Sequence, residues 1–248
     1  MSRQPTDLDA LWQSAPPASR AFDPRDFAHL PACVQRYLGH AIAPGTLLAS
    51  AVRLRMHGQI RLGKWRHFRA EQVIVASGAM IWRARVRTPG LSIRGFDRYV
   101  NGKGAMQWRI FGILPFIRVA GRNVTRSAAG RFAAESVWLP SMLCEPGVAW
   151  TANEAGVAHA NLTVGCEPVD VALALDDGCL QFVALSRWGN PDGGAFRAVD
   201  FGAMVEQETT FGGYTIPARL RVGWYFGTDR FESDGEFFRV TIDDARYR

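Results

Sequence analysis

The sequence lacks the signatures of several common functional classes. No hydrophobic run approaches the ~18 residues of a membrane span, and the first 20 residues lack the apolar core of a signal peptide. The chain has no Walker loop, Rossmann fingerprint, HExxH, GxSxG, helix-turn-helix or zinc-finger pattern. We therefore expect a cytoplasmic protein without a cofactor or a nucleic-acid partner. The oligomeric state does not follow from the sequence.

Cysteine, histidine and lysine are scarce. The four cysteines are far apart, form no CxxC pair and are interpreted as free thiols in a reducing compartment: Cys33, Cys144, Cys166 and Cys179. The five histidines show no spacing typical of metal ligands, so no metal site is expected. Because only two of the 29 basic residues are lysines, the positive charge is almost entirely arginine.

The positive charge is concentrated in one block of the chain. From Arg53 to Arg131 there are 17 basic residues against two acidic ones, whereas the remainder carries a balance of −9. Such a block could bind an anionic membrane surface. Alternatively, basic and acidic strands lie side by side in one sheet and neutralise each other. The second interpretation is favoured, and the first stays open.

Hydrophobic residues recur with a period of two from Ser50 onward. Val52, Leu54 and Met56 point one way along the first predicted strand, and the arginines between them point the other way. Four further strands follow up to Ile110, separated by Gly and Pro turns. The alternation sends most arginines to one face of the sheet and the aromatic residues to the other.

The second half returns to short strands. They are predicted over 148–152, 157–164, 169–176, 179–187, 195–201, 205–211, 216–226 and 237–242. No internal linker appears, so residues 23–248 are interpreted as a single domain with short N-terminal helices. Residues 1–22 are predicted to form a loose N-terminal tail. The fold class is mainly β (α+β), with about a dozen strands in a curved antiparallel sheet.

One long helix is predicted over 123–143, NVTRSAAGRFAAESVWLPSML, lying across the concave face of this sheet. Asn123 or Thr125 can cap its start, and Pro140 must kink or end it.

Four polar residues are candidates for acid/base catalysis near this helix: Asp97, Tyr99, Arg131 and Glu135. Asp97 falls on the apolar face of its strand, where a lone carboxylate would be costly. Arg131 and Glu135 are one helical turn apart. The alternative, which we favour, is a structural ion pair that fixes the helix on the sheet.

Six large apolar residues are candidates for binding a ligand between sheet and helix: Trp82, Met106, Trp108, Phe132, Trp138 and Trp224. Curved sheets with a covering helix often enclose ligand space. Ordinary core packing is the alternative for each residue taken singly.

The blocks RMHGQIRLGKW, GFDRYVNGKG, RSAAGRFAAESVWLP and GGYTIP resemble a bacterial protein family of unknown function. The resemblance supplies no activity and no catalytic residue. More distantly, the order of elements is similar to the half-barrel of lipoprotein carriers, in which a curved antiparallel sheet holds acyl chains. That similarity implies an antiparallel half-barrel whose concave face is covered by a helix.

Three functions are compatible with these features. The first is binding of a hydrophobic or lipid-like small molecule in a cavity between sheet and helix. The second is a metal-independent enzyme, such as an isomerase, cyclase or hydrolase, with Asp97 and Glu135 as acid and base. The third is peripheral binding to an anionic membrane through the arginine face. Whether the protein is an enzyme stays open.

Overall fold

The computed structural model describes residues 7–153 and 156–248. Three α-helices occur in this part of the chain: α1 (Leu8–Ser14), α2 (Ala32–Ala41) and α3 (Arg122–Ala134). A 3-10 turn over Pro24–Phe27 precedes α2, and a π-helical turn over Phe231–Gly235 precedes the last strand. All other regular structure, apart from two 3-10 turns after α3, is β-strand.

One antiparallel sheet contains the thirteen strands of the described residues. They are β1 (Ala51–Leu62), β2 (Lys64–Val75), β3 (Ala79–Thr88), β4 (Leu91–Val100), β5 (Lys103–Ile110), β6 (Leu114–Ala120), β7 (Ala149–Ala152), β8 (Val157–Val164), β9 (Glu167–Asp176), β10 (Cys179–Gly189), β11 (Arg197–Phe211), β12 (Tyr214–Trp224) and β13 (Glu236–Tyr247). Their spatial order is β6-β5-β4-β3-β2-β1-β13-β12-β11-β10-β9-β8-β7. Strand β13 lies between β1 and β12 and therefore joins two meanders, one of strands β1 to β6 and one of strands β7 to β12.

Helix α3 crosses the concave face of the sheet and contacts both of its halves. It packs on β4, β5 and β6 near one edge and on β8, β9 and β10 near the other. Because these two groups of strands are far apart in the strand order, the sheet must curl around the helix to reach it. The predicted curved antiparallel half-barrel with a covering helix is confirmed.

The predicted alternation is confirmed along β1 and β3. Val52, Leu54 and Met56 are buried, and so are Trp82 and Val86. These side chains belong to the core between the sheet and α3. Strand parity therefore positions the inward side chains that form the candidate site.

The helix predicted over 123–143 is shorter than expected. Helix α3 ends at Ala134, and the chain continues as 3-10 turns over Glu135–Trp138 and Pro140–Cys144. Pro140 begins the second turn, since its missing N–H is no loss at that position. The expected cap is also wrong: Gly121 occupies the N-cap without a side-chain hydrogen bond. Thr125 Oγ1 instead accepts a hydrogen bond from the Gly104 N–H (3.0 Å).

The expectation of a loose tail over residues 1–22 is wrong for α1. Asp7 caps this helix by accepting a hydrogen bond from the Ala10 N–H (2.8 Å). Leu8 and Leu11 are buried in a separate cluster that contains Val73, on the convex side of the sheet. Two apolar residues three apart are a short signal, and the sheet surface that they cover is formed by distant residues. Residues 1–6 lie outside the described part of the chain.

The positive charge is neutralised on only part of the sheet. On β1, Arg53 pairs with Glu71 (2.9 Å) and Arg55 pairs with Asp244 (3.1 Å), as the favoured interpretation of the charge block expected. That interpretation is wrong for β3 to β6. Six exposed arginines there make no ion pair with any described residue: Arg83, Arg85, Arg87, Arg94, Arg109 and Arg118. We call these six residues the outer arginine face.

Candidate functional site

A cavity of about 800 Å³ lies between α3 and the sheet. This volume falls within the range of ~300–1,000 Å³ that drug-sized ligands occupy in proteins. Most of its wall is apolar and comes from strands on both sides of the helix, including Met80, Val183, Ala203, Leu220, Val222 and Phe238. The exposed residues of the lining include Ala120, Gly121, Arg122 and Asn123. The cavity therefore opens at the start of α3.

Four of the six predicted ligand-binding residues line this cavity: Trp82, Met106, Trp138 and Trp224. Trp108 and Phe132 are not among the lining residues. The Trp108 ring packs against the Trp82 ring at 5.7 Å, and Phe132 packs against Tyr99 at 6.0 Å between ring centroids. These last two pack in the core beside the cavity, and binding by the other four stays a prediction.

Arg131 joins Asp97 and Glu135 inside the cavity wall. Its Nη1 donates a hydrogen bond to Asp97 Oδ2 (2.9 Å), and its Nε donates to Glu135 Oε1 (2.7 Å). Trp108 Nε1 donates to the other oxygen of Asp97 (3.1 Å), and Gln72 Nε2 donates to the other oxygen of Glu135 (2.6 Å). Each of the four carboxylate oxygens thus accepts a hydrogen bond. We call Asp97, Arg131, Glu135, Gln72 and Trp108 the polar lock.

The polar lock connects α3 to the sheet, as the predicted structural ion pair requires. Asp97 comes from β4, Gln72 from β2 and Trp108 from β5, whereas Arg131 and Glu135 come from α3 and its C-cap. Side-chain exposures of 18% for Arg131 and Asp97 and 12% for Glu135 leave little water to solvate the charges. Removing one partner would therefore leave an uncompensated charge in the wall.

The polar lock also bears on the predicted acid/base chemistry. Burial raises the pKa of Asp97 above its usual range, although Arg131, Trp108 and Arg187 act in the opposite direction. A carboxyl group perturbed in this way can serve as a general acid. Tyr99, the fourth predicted residue, does not line the cavity and is buried. Asp97 and Glu135 both line the cavity, but their oxygens are already engaged, so catalysis stays a prediction.

Arg187 is a lining residue that the sequence interpretation missed. Its Nε donates to the Ser127 carbonyl oxygen (3.1 Å), and its Nη2 lies 3.4 Å from Ser127 Oγ. Its guanidinium carbon lies 4.5 Å from the Phe201 ring centroid and 5.0 Å from that of Trp224. A signal was present: Arg187 follows Val183 and Leu185 at intervals of two, so the parity of β10 places it on the inner face.

The electrostatic environment of Arg187 is unfavourable for its charge. Burial, together with the positive charge of Arg131, lowers the pKa of Arg187 to about 9, and Glu135 and Asp97 compensate in part. A guanidinium remains protonated in proteins. The lowered pKa therefore means that an obligatory cation is held where its charge is poorly stabilised.

One group of described residues could hold a metal ion, although none was expected from the sequence. Ligand atoms of His40, Cys179 and Glu208 all lie within 4.8 Å of one another. His40 Nε2 and Glu208 Oε2 are 2.8 Å apart and form a hydrogen bond. This bond already accounts for the approach of two of the three groups. The three residues come from α2, β10 and β11, so no short sequence spacing could have revealed them.

No α-helix in the described ranges has the length and apolar character needed to cross a bilayer. Among curated proteins, none matches the chain at a significant level. Two solved structures are similar at low identity. One is a domain assigned to outer membrane lipoprotein sorting from Vibrio parahaemolyticus, with 10% identity over 80% of this chain and 86% of that chain and a TM-score of 0.44. The other is a LolA superfamily protein from Nitrosomonas europaea, with 9% identity over 88% of this chain and 92% of that chain and a TM-score of 0.40.

The distant similarity to lipoprotein carriers that the order of elements implied is thus found, but at these identities and TM-scores no function follows from it.

The family comparison covers most of the chain. The model of DUF6920, a family of unknown function, matches residues 28–247. The resemblance of the four sequence blocks to a family of unknown function is confirmed, and the protein belongs to DUF6920.

Proposed function

We propose that the protein binds an apolar, lipid-like small molecule in the cavity between α3 and the sheet. The observation that carries the proposal is the cavity itself, about 800 Å³ with a mainly apolar wall. Protein interiors are packed nearly as densely as organic crystals, and voids larger than a few water molecules are unusual. A space of this size beneath a covering helix therefore points to an occupant.

Access to the cavity supports this proposal. The opening is formed by the start of α3 and by residues that follow β10, including Asn190 and Pro191. A long apolar molecule could enter there and extend along the helix toward Trp138. Burial of apolar surface stabilises such a complex by about 25 cal/mol per Å². The affinity for the apolar part of the ligand would then depend on the free volume of the cavity.

The test fills the cavity without changing the outer surface. Ala203 is buried and lines the cavity, so Ala203→Phe should weaken binding at least tenfold. Ala149→Phe places the same side chain on the exposed edge strand β7 and should leave affinity unchanged. Binding is measured on delipidated protein by the fluorescence of a neutral, polarity-sensitive dye and by its displacement with a long-chain alcohol. Equal affinities for the two variants, or no saturable binding by the unsubstituted protein, would refute the proposal.

A second candidate function is docking on an anionic membrane surface. The outer arginine face lies beside an exposed apolar hairpin at the edge of the sheet. The turn between β5 and β6, together with the first residue of β6, exposes Phe111 (54%), Ile113 (76%) and Leu114 (61%). Each arginine near an anionic leaflet contributes roughly 1 kcal/mol, and exposed apolar side chains can insert at the headgroup boundary. The combination favours a membrane over a purely polar partner.

Vesicle cosedimentation tests this second function. We expect binding to vesicles that contain an acidic phospholipid, weakened by salt, and little binding to zwitterionic vesicles. The double substitution of Ile113 and Leu114 by Ser should reduce binding. Leu47→Ser provides the control, since Leu47 is 55% exposed outside this hairpin. Binding that is insensitive to both salt and the hairpin substitutions would exclude this function.

A further inference from the structure

We propose that the ligand of the cavity is an amphiphile with one anionic oxygen group, a carboxylate or a phosphate, and that Arg187 binds this group. The inference rests on the proposed binding function and specifies the chemistry of its ligand. It follows from a cation in the cavity wall whose donors are only partly used.

The hydrogen bonds of Arg187 leave donors free. A guanidinium carries five N–H donors in a planar fork. Two of its nitrogens contact Ser127, at 3.1 and 3.4 Å, and no further acceptor for Arg187 occurs among residues 7–153 and 156–248. Arg187 itself is one of the residues that line the cavity. A carboxylate or phosphate oxygen is the acceptor that this fork geometry matches best.

No carboxylate of the described protein is within ion-pair distance of Arg187, although two lie in the same wall. Asp97 and Glu135 are both bonded to Arg131 and attract Arg187 only from beyond 4 Å. The aromatic rings of Phe201 and Trp224 face the guanidinium and hold it in place. The Arg187 side chain is thus positioned by rings and by Ser127, without a direct counter-ion.

The position of Arg187 also fits an amphiphile. Ser127, its hydrogen-bond partner, lies in the first half of α3, near the open end of the cavity. Arg122, at the opening itself, is exposed and forms no ion pair within the described ranges, so a second positive charge lies along the entry path. Beyond Arg187 the wall includes Val137 and Leu220. A head group at Arg187 would therefore leave the apolar chain in the apolar part.

The test compares ligands that differ only in the head group. Palmitic acid, hexadecyl phosphate, hexadecanol and hexadecylamine are titrated into delipidated protein, and affinity is measured by displacement of the neutral dye. A charge-assisted hydrogen bond of about 1.5–3 kcal/mol predicts that the acid or the phosphate binds roughly 10- to 150-fold more tightly than the alcohol. The acid and phosphate arms identify which anion is preferred. The amine should bind most weakly.

Variants assign the effect to Arg187. Arg187→Met should abolish the preference for the anion over the alcohol while alcohol binding persists, and Arg187→Lys should retain part of it. Arg219→Met is the matched control, because Arg219 is an exposed arginine on the outer face of β12. Equal affinities for acid and alcohol in the unsubstituted protein, or a preference that survives Arg187→Met, would overturn the inference while leaving the binding function intact. Failure of all four ligands would instead count against the binding function.

Discussion

The polar lock predicts a large loss of stability when Arg131 is replaced by Met. The substitution keeps an apolar side chain of similar length but removes both hydrogen bonds, at 2.9 Å to Asp97 and 2.7 Å to Glu135. Breaking a buried ion pair by removing one partner typically costs ~3–5 kcal/mol. Because each carboxylate keeps one neutral donor and some exposure, we expect about 3 kcal/mol. For a chain of this size that corresponds to a fall in Tm of roughly 6–12 °C.

The loss should depend on pH with a defined sign. Burial raises the pKa of Asp97 and Arg131 lowers it, so without this cation the folded-state pKa of Asp97 lies further above its unfolded value. Such a group stabilises the fold at acidic pH and loses that contribution as the pH rises through the folded-state pKa. The cost of Arg131→Met should therefore be larger at pH 8 than at pH 5.

Urea denaturation at the two pH values measures both effects. Arg126→Met is the matched control on the same helix, because its ion pair with Glu167 is about half exposed and should contribute at most ~1 kcal/mol. Adding Asp97→Asn and Glu135→Gln to Arg131→Met should recover much of the loss, since no unpaired charge remains. A cost below about 1 kcal/mol, or one that is independent of pH, would refute the assignment of these residues as a lock.

Two further predictions concern single residues. Burial by itself would raise the pKa of Glu236, but hydrogen bonds from Arg221 and Arg239 lower this pKa to about 2. Glu236 therefore stabilises the fold above pH ~4.5 and loses that effect as the pH falls toward 2. Glu236→Gln should cost about 2 kcal/mol at pH 7 and little near pH 2 by urea denaturation, whereas Glu232→Gln, 76% exposed, should cost almost nothing. Gly95→Ala should destabilise by about 1–3 kcal/mol, because its Cβ would lie 2.4 Å from the Trp108 ring. The control Gly39→Ala, a helical position with open space around it, should stabilise by up to ~1 kcal/mol, and a thermal melt that ranks the two Gly variants otherwise would contradict the packing described here.

Strand parity explains why part of the site could be predicted from the sequence. A period of two fixes the face of each side chain once a strand is identified, so Asp97 could be placed on the inner face without knowing its partner. The spacing of Arg131 and Glu135 likewise determined that they meet on one helical turn. The same rule places Arg187 on the inner face, but a charged residue at the end of a predicted strand is ordinarily expected in solvent.

The features that the sequence did not reveal depend on distant contacts. A break was predicted between strands 195–201 and 205–211, yet β11 runs without interruption from Arg197–Phe211. Gly202 lies within this strand, and a side chain there would lie 2.5 Å from the Phe226 ring, so contact with a distant residue accounts for the glycine. Helix α1 also depends on distant contacts, since it covers a sheet surface contributed by residues at least 40 positions from Leu8 and Leu11. Local secondary-structure propensity does not reflect contacts with residues that are distant in the sequence.

The most direct test of the central claim is a crystal structure of the delipidated protein soaked with a long-chain carboxylic acid that carries bromine on its terminal carbon. We expect an anomalous bromine peak beneath α3, in the apolar part of the cavity near Val137 and Leu220, with the carboxylate at Arg187. Two results would contradict this expectation. One is a bromine peak found only on the outer surface, and the other is a cavity without ligand density in a crystal soaked at a saturating ligand concentration.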